Sequence, residues 1–301
     1  MKTLIGILSS ILVCGNLVLA SLPLFVMAFV RLVLRVTGLR QAASWMTEKM
    51  DRIIDYWVGS NRLIFRLLGI YRDECEWVNA EALHRDGWYL AISNHQSWPD
   101  ILILQTILRR TPAIKFFTKR QLLFIPFFGQ AMWCLGFPYV RRMSREQIAA
   151  NPELLTLDRQ ATIDACEGFR NHPTTVLNFL EGTRFTKAKH DAQNGRFQTL
   201  LNPKSGGMSL VLGALEERLD CLIDVTINYP NGVPTFWDFL KGDCKGVDVR
   251  AQCREIPAAV HAAEDQDSRR AQVEAWVEEI WQEKDRRLLN QHPAVSMEPT
   301  S

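Results

Sequence analysis

The sequence predicts an α/β domain, a largely parallel sheet flanked by helices, behind an N-terminal membrane-anchoring helical segment. Three observations lead there. Between residues 88 and 253, short apolar runs alternate with longer stretches of helical period, the pattern of strands each followed by a helix that returns the chain to a parallel neighbour. Several of these runs, 88–93 among them, are apolar almost throughout, as strands covered on both faces are. Residues 3–30 form a run of 28 without a charge, where about 20 apolar residues suffice to cross a bilayer core.

The anchor is expected over residues 1–40. Pro23 divides it, which leaves either one kinked span or a shallow helical hairpin. Lys2 before the run and the small residues Ala20 and Ser21 within it also fit a cleaved signal peptide. The apolar run continues past that point, however, so a retained anchor is the better reading. Arg31, Arg35 and Arg40 follow the run, and only Lys2 precedes it. That basic excess places the downstream side in the cytoplasm.

Over residues 41–70, Met46, Met50, Ile53 and Trp57 recur at helical spacing with charges on the other faces. This predicts an amphipathic helix that packs on the core or lies in the membrane interface. The α/β domain is expected over residues 71–290. Its strands are predicted at 88–93, 114–118, 137–140, 175–180, 222–229 and 247–253, and its main helices at 101–109, 121–133, 146–170 and 209–219. A final helical pattern through Val273, Val277, Ile280 and Leu288 should pack on the domain without chemistry of its own. Residues 291–301, with Pro293 and Pro299, read as a flexible tail.

A chain of 301 residues that is 47% apolar can bury a substantial core. Its formal net charge of +2 offers no whole-protein case for a polyanionic partner. The seven cysteines are odd in number and contain no Cys-x-x-Cys. They suggest neither a disulfide framework nor a zinc site, and favour a reducing compartment. Charge is uneven, because residues 101–145 carry eight Lys or Arg and no Asp or Glu. Such a stretch is a solvated basic face, a groove for an anionic amphiphile, or a face on anionic lipid. No nucleic-acid motif is present, and no nucleic-acid partner is expected.

The organising string is Ser93-Asn94-His95-Gln96-Ser97-Trp98-Pro99-Asp100. It stands at the end of an apolar run, and Pro99 suits the first turn of a helix. A turn between strand and helix would let Asp100 reach back to His95. The carboxylate would then hold one imidazole nitrogen protonated and leave the other free to take a proton. The same spacing also serves a turn histidine beside a helix-capping aspartate.

Further blocks follow in order: Lys119 to Gly129, with leucine and proline between; Gly136-Phe137-Pro138-Tyr139-Val140-Arg141-Arg142; and Phe179-Leu180-Glu181-Gly182-Thr183-Arg184-Phe185. Together with Asn-His-x-x-x-x-Asp they resemble the motifs of the glycerolipid acyltransferases, the family of the 1-acylglycerol-3-phosphate acyltransferases. Residues 186–190 and 203–207 resemble the branch that includes several eukaryotic members and a group of bacterial inner-membrane relatives. The likeness covers residues 88–257. It departs at Leu180, where many members carry proline, and at 223–229, which lacks the proline of a fourth motif.

The resemblance implies a glycerolipid-acyltransferase-like fold on the cytoplasmic side of a bacterial inner membrane. By it, His95 is the base and Asp100 its orienter, while Arg142, Glu181, Gly182, Thr183, Arg184 and Lys119 bind substrate. The implied reaction moves a fatty acyl group from acyl-CoA or acyl-carrier protein to the sn-2 hydroxyl of 1-acylglycerol 3-phosphate, giving phosphatidate. Its partners are a lysophospholipid acceptor, a thioester donor, membrane lipids and, with one of the two donors, acyl carrier protein. No metal or other cofactor is expected, since His95 and Asp100 lack further ligands at a characteristic spacing. Two rivals stay open: transfer to another lysophospholipid or alcohol, and a non-catalytic membrane interaction protein on the same scaffold.

Overall fold

The computed structural model describes residues 1–140, 153–215, 218–244 and 246–291. Its strands are β1 (Glu76–Val78), β2 (Tyr89–Ser93), β3 (Ile114–Phe116), β4 (Thr118–Lys119), β5 (Tyr139–Val140), β6 (Thr175–Phe179), β7 (Cys221–Asn228) and β8 (Asp248–Arg254). Six of them form one sheet in the order β1-β8-β7-β2-β6-β3. The four strands β3, β6, β2 and β7 are mutually parallel. β8 pairs antiparallel with β7, and β1 lies parallel to β8 at the edge. β4 and β5 make a separate two-stranded pair.

The helices are α1 (Lys2–Val36), α2 (Arg40–Leu67), α3 (Pro99–Ile107), α4 (Phe128–Cys134), α5 (Glu153–Phe169), α6 (Lys187–Asp191), α7 (Gly206–Leu215), α8 (Phe236–Leu240), α9 (Ala258–His261) and α10 (Gln266–Gln291). β2 is buried along its whole length, and its side chains divide between two cores. Tyr89 and Ala91 join the core of α2, α3 and α4. Leu90 and Ile92 join that of α7 and α10, where Trp281 is fully buried. A strand packed on both faces must be apolar at every position, which is why this run shows no alternation.

α1 runs through Pro23 without interruption, so the division expected there does not occur. The hairpin lies one element later, at Thr37-Gly38-Leu39, where Gly38 takes a positive φ of 79° and α2 turns back along α1. Residues 2–36 are long and apolar enough to cross a membrane. Polar contacts nevertheless tie α1 to the domain towards both ends and to α2 in its middle. Lys2 pairs with Asp243 at 2.5 Å, Ser9 donates to the Leu240 carbonyl at 2.7 Å, Asn16 to Asn61 at 2.8 Å, and Arg31 to the Cys134 carbonyl at 2.9 Å. The opposite side, including Leu4, Ile11, Leu19, Val26 and Phe29, is exposed. α2 buries Met50, Ile54, Val58 and Phe65, and the Met46, Ile53 and Trp57 of the expected stripe are partly buried against the same core.

The helix expected over 121–133 is broken. A 3-10 turn, Arg120–Phe124, ends before Pro126, and α4 starts after Phe127 at φ 62°. Pro126 lacks the N–H a continuous helix needs. The break folds α4 so tightly onto the preceding turn that a Cβ on Gly129 would lie 2.3 Å from the Leu122 and Leu123 carbonyl oxygens. The predicted strand 114–118 divides into β3 and β4, and 137–140 shortens to β5. The first part of the helix expected at 146–170, and the tail at 292–301, lie outside the described residues.

Candidate active site

β2 delivers the chain to Asn94, whose side chain is locked to β7. Its amide donates to the Ile227 carbonyl, and its oxygen accepts from the Ile227 N–H, both at 2.9 Å. The next residue, His95, sits on the turn before α3. Pro99 opens that helix, where a missing N–H costs nothing, and Asp100 falls in its first turn. From there Asp100 Oδ2 accepts from Gln96 N at 2.7 Å and Ser97 N at 2.9 Å, and meets His95 Nδ1 at 2.9 Å. Asp100 Oδ1 accepts from the Tyr229 hydroxyl at 2.6 Å. The carboxylate is fully buried.

Contact with Asp100 selects the tautomer with a proton on Nδ1, which leaves Nε2 as the acceptor. The imidazole is 12% exposed and stacks on Phe179, with centroids 4.0 Å apart. The backbone of His95 is gripped by the 179–185 segment. Its N–H donates to Glu181 Oε2 at 2.7 Å, and its carbonyl accepts from Phe185 N at 2.7 Å. Glu181 Oε1 accepts from Leu201 N at 2.9 Å.

Glu181, 1% exposed, therefore directs both oxygens at backbone amides and presents neither to a substrate. Burial pushes its carboxyl up to about 7, against the pull of those amides and of Lys284. The turn forms with leucine in place of the family's proline. Leu180 is buried, its carbonyl accepts from Lys204 N, and Gly182 makes the turn at φ 66°.

Beyond Gly182 the segment becomes basic. Arg184 is exposed, and its guanidinium lies over the Trp98 ring at 4.8 Å. Lys189 donates to Thr183 Oγ1 at 2.8 Å and to the Arg184 carbonyl at 2.9 Å. The Lys204 side chain passes over Gly182, its Nζ 3.5 Å from where a Cβ would stand. The structure thus brings His95, Asp100, Glu181, Gly182, Thr183 and Arg184 together. Lys119 is exposed at the end of β4, where it pairs in register with Val140. Arg142 lies outside the described residues.

Trp98 also lines an apolar cavity of about 490 Å³ between α1, α2, α3 and α4, with Leu17, Leu24, Trp57, Leu102 and Phe128 among its walls. One tryptophan therefore separates a basic lip from a greasy chamber, beside the imidazole. Among the described residues no group of three or more His, Cys, Asp or Glu is placed to hold a metal ion. Sequence reasoning missed Lys189 and Lys204, although both lie in quoted blocks beside a glycine turn. It missed Tyr229 too, which reads only as the end of a strand.

The acyltransferase family model matches residues 74–229. Lysocardiolipin acyltransferase 1 of Danio rerio is 26% identical over 266 residues, 83% of this chain and 63% of its own length. 1-Acyl-sn-glycerol-3-phosphate acyltransferase gamma of Mus musculus is 27% identical over 213 residues, 65% of this chain and 51% of its own. The chain thus spans between half and two thirds of these relatives. The crystal structure of the 1-acyl-sn-glycerophosphate (LPA) acyltransferase, PlsC, from Thermotoga maritima superposes with a TM-score of 0.46 at 14% identity, over 94% of this chain and all of that one. A superposition that loose adds nothing to the fold already described. The family match takes in slightly more than half of the sequence, from the edge strand β1 to Tyr229, with His95, Asp100 and the 179–185 grip inside it; the chain belongs to the acyltransferase family.

Proposed function

We propose that this protein is a membrane-associated glycerolipid O-acyltransferase. It moves a fatty acyl group from a thioester, acyl-CoA or acyl-carrier protein, to the sn-2 hydroxyl of 1-acylglycerol 3-phosphate and gives phosphatidate. The observation that carries the reading is the oriented His95–Asp100 pair beside the Trp98 boundary between the cationic lip and the apolar cavity. The acceptor's phosphate suits the cationic lip and the donor's acyl chain suits the apolar cavity, so that hydroxyl and thioester carbonyl would meet beside the imidazole at their boundary.

A hydroxyl becomes a competent nucleophile as its proton leaves. His95 Nε2 takes that proton while the oxygen attacks the thioester carbonyl, and Asp100 stabilises the imidazolium. When the tetrahedral intermediate collapses the carbon–sulfur bond breaks, and the imidazolium returns the proton to the departing thiolate. The base is regenerated, and ester and thiol are the products. Arg184, with Lys189 and Lys204 near it, attracts the acceptor phosphate, a guanidinium offering paired donors to its oxygens. Arg142 and Lys119 are assigned to the same phosphate by the family motifs. The cavity receives an acyl chain, and holding both reactants lowers the entropy cost of their meeting.

The exposed apolar side of α1 supports membrane association, and seven free thiols support a reducing compartment, as on the cytoplasmic face of a bacterial inner membrane. A second acceptor class is favoured by the breadth of the match to a lysocardiolipin acyltransferase, 83% of this chain. The lip would accept a phosphodiester head as well as a monoester.

The test presents purified protein with labelled acyl-CoA and a panel of lysophospholipids in mixed micelles. Labelled phosphatidate is the expected product, and acylated lysocardiolipin would mark the second class. His95→Ala should cut turnover by about 10²- to 10⁴-fold, the span of general base catalysis. Wild-type turnover by that variant, or no acylated lipid from any acceptor, overturns the reading.

A further inference from the structure

Asp100 has two oxygens, and the structure treats them differently. Oδ2 faces His95 and takes two backbone amides as well, whereas Oδ1 points into the protein and receives the Tyr229 hydroxyl at 2.6 Å. Both side chains are buried, at 0% and 4% exposure. Tyr229 directly follows β7, the strand whose Ile227 is bonded twice to Asn94. The end of β7 therefore holds the base at two points, through the residue before His95 and through the acid behind it. We propose that Tyr229 is a positioning residue for the base, its hydroxyl fixing which Asp100 oxygen faces His95 and drawing charge away from that oxygen. The proposal rests on the reading of His95 as the base.

The consequence for basicity has a definite sign. A donor on Oδ1 withdraws negative charge from the carboxylate and weakens its hold on the imidazolium. Removing that donor concentrates charge opposite Nδ1, favours protonated His95 and keeps the base occupied to a higher pH. The Tyr229 hydroxyl is itself a lasting donor, since burial and the neighbouring carboxylate push its ionisation well above the ordinary phenol range. Among the described residues, the other titratable groups around the pair are Cys244 beside Asp100 and Tyr229, Tyr71 beside Tyr229, Glu181 on the backbone side of His95 with Lys284 behind it, and Arg184, Lys189 and Lys204 on the lip. Each is common to wild type and variant, so a shift between the two belongs to Tyr229.

Tyr229→Phe in the full chain should lower kcat about tenfold, the size expected for loss of a hydrogen bond to a charged group. KM for both substrates should stay within about twofold, since the residue touches neither. The acid limb of kcat/KM should move to higher pH. In an Asp100→Asn background the same change should lower the rate by less than about twofold, because a phenol acting through the acid has nothing left to act on. Incorporation of 3-fluorotyrosine at position 229, a stronger donor of nearly the same size, should move the acid limb to lower pH and serves if the phenylalanine variant does not fold. An acid limb unmoved by both replacements, or rate losses that multiply in the double variant, overturns the proposal. If His95→Ala also keeps its activity, the underlying reading has failed. If that variant is inactive while the limb stays still, only the role of Tyr229 has failed.

Discussion

Glu181 sits between two backbone amides, one of them the N–H of His95, in a position with almost no solvent contact. Burial disfavours its charged form and raises its carboxyl from 4.5 to about 7, so the folded chain binds this proton more tightly than the unfolded chain does. By linkage its contribution to stability is complete below about pH 4.5, and is lost as pH rises through about 7. A shift of that size corresponds to at most about 3–4 kcal/mol. Glu181→Gln should lower stability at every pH, because its NH₂ must face one of the two amides and strand a buried donor. It should also flatten the wild-type decline between pH 4.5 and 7. Thermal melts of both proteins across that range provide the check, with the difference in slope as the readout. A variant that kept the full wild-type slope would remove burial of this carboxyl as its cause. Glu181-Gly182-Thr183-Arg184 was legible as a site string through its resemblance to a family motif. That its glutamate serves the backbone of His95 was not legible, since the partner amides at 95 and 201 are far away in sequence.

At the scale of elements, α1 has the composition of a membrane span and the contacts of a packed helix. It is about 52 Å long at 1.5 Å per residue, and it touches the domain near its start through Lys2 and near its end through Arg31. A helix held at both ends by one domain cannot carry its midpoint through a bilayer while that domain stays on one side. α1 should therefore lie along the membrane with Leu4, Ile11, Leu19, Val26 and Phe29 in the lipid. Single-cysteine variants at Lys2 and at Arg40, in a background cleared of reactive thiols, test this in oriented vesicles with an impermeant maleimide. Both should label from the face that carries the domain, and labelling from opposite faces would establish a span. The hydropathy of 3–30 could not make this distinction, because exposed leucines read alike against lipid or domain. β2 was legible since a strand buried on both faces stays apolar, and β6 and β7 were legible from their apolar and β-branched residues, although β7 also buries Asp224, Thr226 and Asn228. β1 was not, with three residues and no period, and the helical spacing of 121–133 masks the break that Pro126 makes. α10 was legible as a helix packed on the domain from Val273, Val277, Ile280 and Leu288, but the burial of its charged Lys284 and Asp285 was not. In the fold Lys284 pairs with Asp224 at 2.7 Å, and Asp285 accepts from the Gln198 and Thr199 amides beside the Leu201 strut.

For the whole molecule, the site is an assembly in which each layer supplies one function. The sheet places His95 and its grip, α10 steadies the loop that carries Leu201, and the α1–α2 hairpin roofs a cavity the α/β domain alone could not close. The order of the motif blocks was readable along the chain. The meeting of lip and cavity at Trp98 was not, because it needs α1, α3 and the 179–185 segment in one place. If the cavity holds the acyl chain of the donor, its volume sets which chains are used. Leu102, 9% exposed on α3 and one turn beyond Trp98, lines it. Leu102→Trp should fill space along the chain's path, lowering kcat/KM by about tenfold or more for long acyl-CoA donors and much less for short ones, since even one methylene without room is worth about 1–3 kcal/mol. Leu102→Ala should shift preference toward longer or bulkier chains, with a stability loss of about 2–5 kcal/mol visible in its melting curve. KM for the acceptor should change little in either variant, because the cationic lip lies on the other side of Trp98. Opposite shifts in the donor chain-length profile are the expected result, and an equal loss across all chain lengths in both variants would place the acyl chain elsewhere.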